Sequence, residues 1–166
     1  VAVVGGGDTA CEEAVYLAHL ANKVYLIVRK DYLRASKIMQ KRVMDTPNID
    51  VLFETQTIGL FGENSLEGAH LVKAKDTDRE EYMDIAINGF FLAIGHKPNT
   101  DIFLPALHVD ENGYIKTIEN TTATNIPGVF AAGDVADPRY RQAVTAAASG
   151  CKAAIDAEKY LIENEL

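Results

Sequence analysis

The chain opens on Val1-Ala-Val-Val-Gly-Gly-Gly-Asp-Thr-Ala10, and this stretch constrains the fold more than any other. Four small or β-branched apolar residues read as a short buried strand. Gly5-Gly6-Gly7 follow at once, and a helix begins near Asp8. A strand, a glycine turn and a helix N-terminus in succession are the first half of a β–α–β unit. Gly5, Gly7 and Ala10 fill the pattern G-x-G-x-x-A, the dinucleotide fingerprint with alanine in its third slot. In that pattern Gly5 permits the tight turn, Gly7 lets a pyrophosphate approach the backbone, and Ala10 lets the helix lie close to the strand. The free N–H groups and dipole of the helix end favour phosphate charge.

Asp8 is expected to cap this helix, with Ala10, Ala14, Leu17 and Ala18 as its sheet-facing stripe. Glu12 and Glu13 lie in the first turns, where carboxylates complement the dipole. The helix is expected to end near Asn22, and Lys23-Val-Tyr-Leu-Ile-Val28 reads as a second buried strand. The end of that strand bears on the choice of nucleotide. An NAD site usually places Asp or Glu there for the ribose 2′-hydroxyl. Here stand Arg29 and Lys30, with Arg34 shortly after. Cations suit a 2′-phosphate, so the pattern predicts NADP(H) over NAD(H). The plainer reading is a solvated basic loop, because exposed charge is common.

A helix is expected from about Ser36 to Met44, stopped by Thr46-Pro47. Ile49–Phe53 reads as a third parallel strand, and Thr57–Phe61, Leu66–Ala74 and Glu81–Ile87 as an antiparallel meander. Phe90–Ile94 reads as a final buried strand. At Gly95-His-Lys-Pro-Asn-Thr100 a Gly and a Pro bracket a turn, and a domain boundary is expected there. His96 beside such a turn is more often structural than catalytic. Beyond it, Asp110-Glu-Asn-Gly113 reads as a hairpin turn followed by a strand at Tyr114–Thr117. A short strand, Val129–Ala132, is expected to end in Gly133-Asp134, placing a carboxylate where it can receive a sugar hydroxyl. A long helix is expected from about Arg139 to Glu163. Its small residues, Ala146 to Gly150, let it lie close to a backbone or a flat ligand.

The formal net charge of −8 argues against non-specific nucleic-acid binding and against an anionic membrane surface. No apolar run has membrane-spanning length, and no signal peptide is evident. Cys11 and Cys151 stand far apart, outside any C-x-x-C, so neither a disulfide scaffold nor a metal site is expected. That pattern suits a reducing cytoplasm. The chain starts inside a strand without Met, which leads us to expect a piece of a longer protein.

Taken in order, five segments resemble the low-molecular-weight thioredoxin reductases among the flavoprotein disulfide reductases. They are Val-Val-Gly-Gly-Gly-Asp-Thr-Ala, Arg-Lys-x-x-x-Arg, Ala-Ile-Gly-His-Lys-Pro-Asn-Thr, Pro-Gly-Val-Phe-Ala-Ala-Gly-Asp-Val, and Tyr-Arg-Gln-Ala-Val-Thr-Ala-Ala. The resemblance implies an α/β chain. Residues 1–95 would be most of a Rossmann-like, three-layer NADPH-binding domain, a parallel sheet plus an antiparallel meander. Residues 96–166 would be the C-terminal portion of an FAD-binding domain.

The resemblance places NADPH on Gly5, Gly7, Asp8, Thr9, Ala10, Arg29, Lys30 and Arg34. It places FAD on Gly133, Asp134, Val135, Arg141, Gln142 and Ala143. Glu12 falls near the nicotinamide position. The resemblance implies no catalytic residue in this chain, because the family's redox-active C-x-x-C is expected to precede the point where it begins. Two positions depart from the pattern: Val28 stands where the family usually has His, and Lys30 where it has Arg. Lys does not reproduce the bidentate fork of Arg at a phosphate.

The resemblance further implies a homodimer passing hydride from NADPH to FAD, and electrons on to a disulfide and to thioredoxin or a similar small redox protein. Three alternatives stay open at this stage. They are a ferredoxin–NADP reductase of thioredoxin-reductase type, the flavoprotein of an alkyl hydroperoxide system, and a non-catalytic nucleotide-binding module.

Overall fold

A computed structural model describes residues 1–165. The chain divides into two compact units, Val1–Gly95 and the residues from His96 on. In the first unit β1 (Ala2–Val4), β2 (Val24–Ile27), β3 (Ile49–Leu52) and β7 (Phe90–Leu92) form a parallel sheet in the order β3-β2-β1-β7. Helix α1 (Asp8–Ala18) joins β1 to β2, and α2 (Lys37–Asp45) joins β2 to β3. An antiparallel sheet of β4 (Thr55–Phe61), β5 (Gly68–Lys73) and β6 (Glu81–Ala86) makes the other layer.

Period-two alternation along the parallel strands explains the layering. Val3, Val24, Leu26 and Val28 face the helices and pack with Ala10, Ala14 and Val43. Their neighbours Ala2 and Ile27 face the other way and pack with Leu71, Ile85 and Ile87 of the meander segment. Each strand is therefore apolar on both faces, as a sheet covered on both sides requires. The three-layer α/β arrangement expected from the sequence is the one observed.

Three local expectations differ. Helix α1 stops at Ala18, four residues short of Asn22, because Asn48 donates its side-chain amide to the carbonyls of Ala18 (2.8 Å) and Ala21 (3.0 Å). A partner thirty residues away supplies that cap. The N-cap is Gly7 and not Asp8, whose side chain is engaged elsewhere. Strand β7 is an edge strand rather than a buried one, with Leu92 64% exposed.

The second unit holds a small core of Leu107, Ile115 and Ala131. The strands expected at Tyr114–Thr117 and Val129–Ala132 are reduced to single bridges, Val109 with Ile115 and Ala123 with Phe130. Their backbone groups find loop partners instead: Ile115 N–H donates to Val135, Ala131 N–H to Thr122, and Asp110 collects the Asn112 and Tyr114 N–H groups. Helix α3 (Ala143–Glu163) starts four residues later than expected, for a reason found at its N-terminus. No described helix is long and apolar enough to cross a membrane.

Candidate functional site

The C-terminal ends of β1 and β2 open into a cleft of about 590 Å³. Its floor is Gly5, Gly6, Ile27 and Val28, and its rim carries Arg29, Lys30 and Arg34. A volume of this size suits a small-molecule ligand. The expected residues Gly5, Arg29, Lys30 and Arg34 therefore share one cavity. Gly7, Asp8, Thr9 and Ala10 do not line it; they continue from its floor as the N-cap and first turn of α1.

The glycines of the turn have separable jobs. Gly5 has φ +149°, and a Cβ there would stand 2.4 Å from the Ala93 carbonyl oxygen and 2.8 Å from the Ala10 Cβ. Its conformation and its crowding both demand glycine. Gly6 is buried, and its carbonyl accepts the Arg34 N–H at 2.7 Å and the Ala35 N–H at 3.1 Å. Gly7 is different. It has φ −93°, which any residue adopts, and a Cβ there would meet nothing within 4 Å. The protein does not need glycine at this position to fold. Glycine there instead leaves open the space beside the uncapped N–H groups of α1, which a side chain would fill.

The basic loop is held at both ends. Glu54 N–H donates to the Lys30 carbonyl at 3.0 Å, and Thr55 N–H to the Val28 carbonyl at 3.0 Å. Arg29, Lys30 and Arg34 are exposed, and none is ion-paired with a carboxylate among the described residues. Val28 is buried against Gly6, so this position is an apolar part of the cleft floor and offers no polar contact there.

The far wall of the cleft includes Thr57, whose enclosed Oγ1 has no hydrogen-bond partner among the described residues. A buried hydroxyl left this way is costly. An open glycine turn, unpaired cations and an orphaned hydroxyl together fit a phosphorylated, partly apolar ligand.

Cys11 is fully buried in α1. Burial pushes its thiol up to about 11, and the Asp8 and Glu12 carboxylates add to the effect. It is therefore a packing residue and a poor nucleophile. Glu12 itself is exposed, one turn into α1. No group of three or more possible metal ligands occurs among the described residues.

In the second unit, Gly133, Asp134 and Val135 form one turn of 3-10 helix with Gly133 at φ +74°. The Gly133 N–H donates to Ser149 Oγ at 2.9 Å, which ties the turn to α3. Asp134 is exposed, and its carboxylate accepts no hydrogen bond among the described residues. Asp137 explains the late start of α3. Its carboxylate accepts the backbone N–H groups of Arg139 (2.9 Å), Tyr140 (2.8 Å) and Arg141 (3.1 Å). Arg141 is thereby held at φ +49°, outside helical geometry. Gln142 then caps α3, with reciprocal bonds to Thr145. Arg141 and Gln142 thus sit on a built kink just before the helix, and Ala143 is its first residue.

The bonds from Tyr140, then Arg139, hold the Asp137 carboxyl below its usual value, outweighing the opposing effect of burial. Its contribution is present above the unfolded carboxyl value of about 4 and is lost as pH falls through the lower folded value. Fast exchange at Arg139–Arg141, read as loss of protection relative to the intrinsic amide rate at the same pH, is accordingly expected only in acid below about pH 4. Asp137→Ala is expected to show the fast exchange already at pH 7.

Residues 1–150 match the family described as pyridine nucleotide-disulphide oxidoreductase. The chain belongs to this family. Among its curated members, the thioredoxin reductase of Eremothecium gossypii is 52% identical over 165 residues, spanning 99% of this chain and 51% of that protein. The mitochondrial thioredoxin reductase 2 of Saccharomyces cerevisiae is also 52% identical, over 99% of this chain and 48% of its own length.

A solved thioredoxin reductase from Streptococcus pyogenes superposes with a TM-score of 0.80 at 34% identity, covering 98% of this chain and 52% of that one. One from Giardia duodenalis gives 0.75 at 41% identity, covering 97% and 52%. The chain spans about half the length of the curated relatives it matches.

Sequence reasoning missed several residues that this member of the pyridine nucleotide-disulphide oxidoreductase family brings to the cleft. Tyr32, Gln56, Thr57 and Ile94 line it, and Gly6 and Ser36 anchor the loop around it. Gly6 carried a weak signal, as the unassigned position of G-x-G. The others lie on strands and loops whose convergence depends on how the meander folds back.

Proposed function

We propose that this chain supplies the NADP(H) site and part of the flavin site of an NADPH-dependent disulfide reductase. In this reading residues 1–95 bind the nicotinamide nucleotide and residues 96–166 contribute to the FAD domain. The electron acceptor is thioredoxin or a small redox protein like it, and the working unit is a homodimer. The observation that carries the proposal is the cleft that joins the glycine turn to Arg29, Lys30 and Arg34, cations with no carboxylate partner among the described residues.

The residues divide the work by charge. The N–H groups of the first turn of α1, at Asp8, Thr9 and Ala10, have no side-chain cap, lie beside the open space at Gly7, and take a pyrophosphate. Arg29, Lys30 and Arg34 take the 2′-phosphate, which an NAD-type diol lacks. In the second unit, Asp134 offers a free carboxylate to a hydroxylated chain, and the kink at Arg141 presents Gln142 and Ala143 at the start of α3. Bound flavin would supply the hydride-accepting chemistry, which no side chain here provides. Cys11 and Cys151 are both free, and the buried Cys11 thiol is not built for exchange. A reducing compartment suits two free cysteines. Some relatives carry mitochondrial names, so cytoplasm is the proposal and not the only compartment the family uses.

The test is spectroscopic. A polypeptide of the relatives' length that includes this sequence is expected to purify yellow, and NADPH is expected to bleach the flavin absorbance far faster than NADH. A colourless protein that binds nucleotide without redox change would establish a sensor and reject the reductase.

A further inference from the structure

Asp8 stands in the first turn of the helix whose N-terminus is proposed to take a phosphate. A carboxylate there opposes an incoming anion, so its presence calls for another reason. Its Oδ1 accepts the Ser36 N–H at 2.9 Å, across 28 residues of sequence. Next to that bond, the Gly6 carbonyl accepts the N–H groups of Arg34 and Ala35. Three consecutive backbone N–H groups, at positions 34, 35 and 36, are thus tied to the glycine turn. The bonds to Gly6 are backbone to backbone and place no demand on side-chain type. The bond to Asp8 is the one that depends on which side chain is present. At its other end the loop is closed by Glu54 and Thr55 on the Lys30 and Val28 carbonyls.

We propose that Asp8 is a positioning residue that fixes the separation between the phosphate-binding turn and the cations of the 29–34 loop. It thereby sets discrimination for 2′-phosphorylated nucleotides. This rests on the NADP(H) reading given above. The Asp8 carboxylate makes no contact with the ligand, which meets only the Asp8 backbone N–H; the side chain acts by holding Ser36, two residues from Arg34, against the first turn of α1.

The experiment titrates the full chain calorimetrically with 2′,5′-ADP and with 5′-AMP, which differ by the 2′-phosphate. The unsubstituted chain is expected to bind 2′,5′-ADP at least about tenfold more tightly. Asp8→Ala removes the acceptor. Ser36→Pro removes the donor from the other side, and Ser36 already has φ −57°, within the range of proline. Both variants are expected to lower the ratio of the two affinities about fivefold, with 5′-AMP binding changed by less than about twofold. Asp8→Asn keeps an acceptor oxygen and is expected to keep the ratio. A merely structural role would weaken both ligands alike and leave their ratio unmoved.

An unchanged ratio in whichever of Asp8→Ala and Ser36→Pro folds overturns the proposal. So does a loss in Asp8→Asn equal to that in Asp8→Ala. Equal binding of the two ligands by the unsubstituted chain overturns the NADP(H) reading itself, and the proposal with it.

Discussion

Gly5→Ala is expected to destabilise the chain by about 3–5 kcal/mol, whereas Gly7→Ala, two residues on, is expected to cost less than about 1 kcal/mol. The two glycines share one turn and differ in what surrounds them. At Gly5 the new methyl would stand 2.4 Å from the Ala93 carbonyl oxygen, at a φ of +149°. Relief requires β1 to move away from the segment after β7, which Ala93 N–H holds through its bond to the Val4 carbonyl. Strain and overpacking each contribute about 1–3 kcal/mol in such positions.

At Gly7 the methyl would meet no protein atom within 4 Å, in a conformation alanine adopts freely. Its effect falls on the ligand. NADPH binding is expected to weaken at least about tenfold, because the methyl occupies the space beside the first-turn N–H groups. Urea unfolding and nucleotide titration on the same two proteins separate these outcomes. Normal binding by a folded Gly7→Ala chain would show that the open space beside Gly7 is not a phosphate site.

Arg29→Ala combined with Lys30→Ala is expected to weaken NADPH binding about tenfold to a hundredfold and to leave NADH nearly unaffected. A hydrogen bond to a charged group is worth about 1.5–3 kcal/mol, and each 1.4 kcal/mol is tenfold in affinity. Both side chains are exposed and neither is ion-paired with a carboxylate among the described residues, so their removal costs the fold little. The position of the loop is kept, because its anchors are backbone bonds from Glu54 and Thr55. Loss of both nucleotides to the same extent would sink the phosphate role. Lys30→Arg is the informative partner experiment, since a guanidinium fork is expected to tighten NADPH beyond the native lysine.

The first forty residues were legible because their signals are local. A strand, a glycine turn and a small-faced helix declare themselves by adjacency, and Arg29-Lys30 declares itself by following a β-branched run. The covered sheet was legible too, since Val3 and Ala2, or Leu26 and Ile27, are apolar on opposite faces. What escaped was set at long range. Asn48 ends α1 from thirty residues away. Asp8 looks like a cap and instead binds Ser36, because the 29–36 loop folds back over the turn.

In the second unit the apolar segments Tyr114–Thr117 and Val129–Ala132 have strand-like composition, yet only single bridges form. Composition reports that a segment suits a sheet, not that a neighbouring strand pairs along its length. The kink at Arg141 was likewise hidden, since nothing local marks Asp137 as the acceptor that holds three N–H groups outside the helix.

The central claim is that the cleft beside the glycine turn is an NADP(H) site, and it is tested most directly by titrating the unsubstituted chain with NADPH and NADH under the same low-salt conditions. The account predicts binding of NADPH at least about tenfold tighter, with the difference shrinking as salt screens Arg29, Lys30 and Arg34. Equal affinity for the two nucleotides, or a preference for NADH, would contradict it.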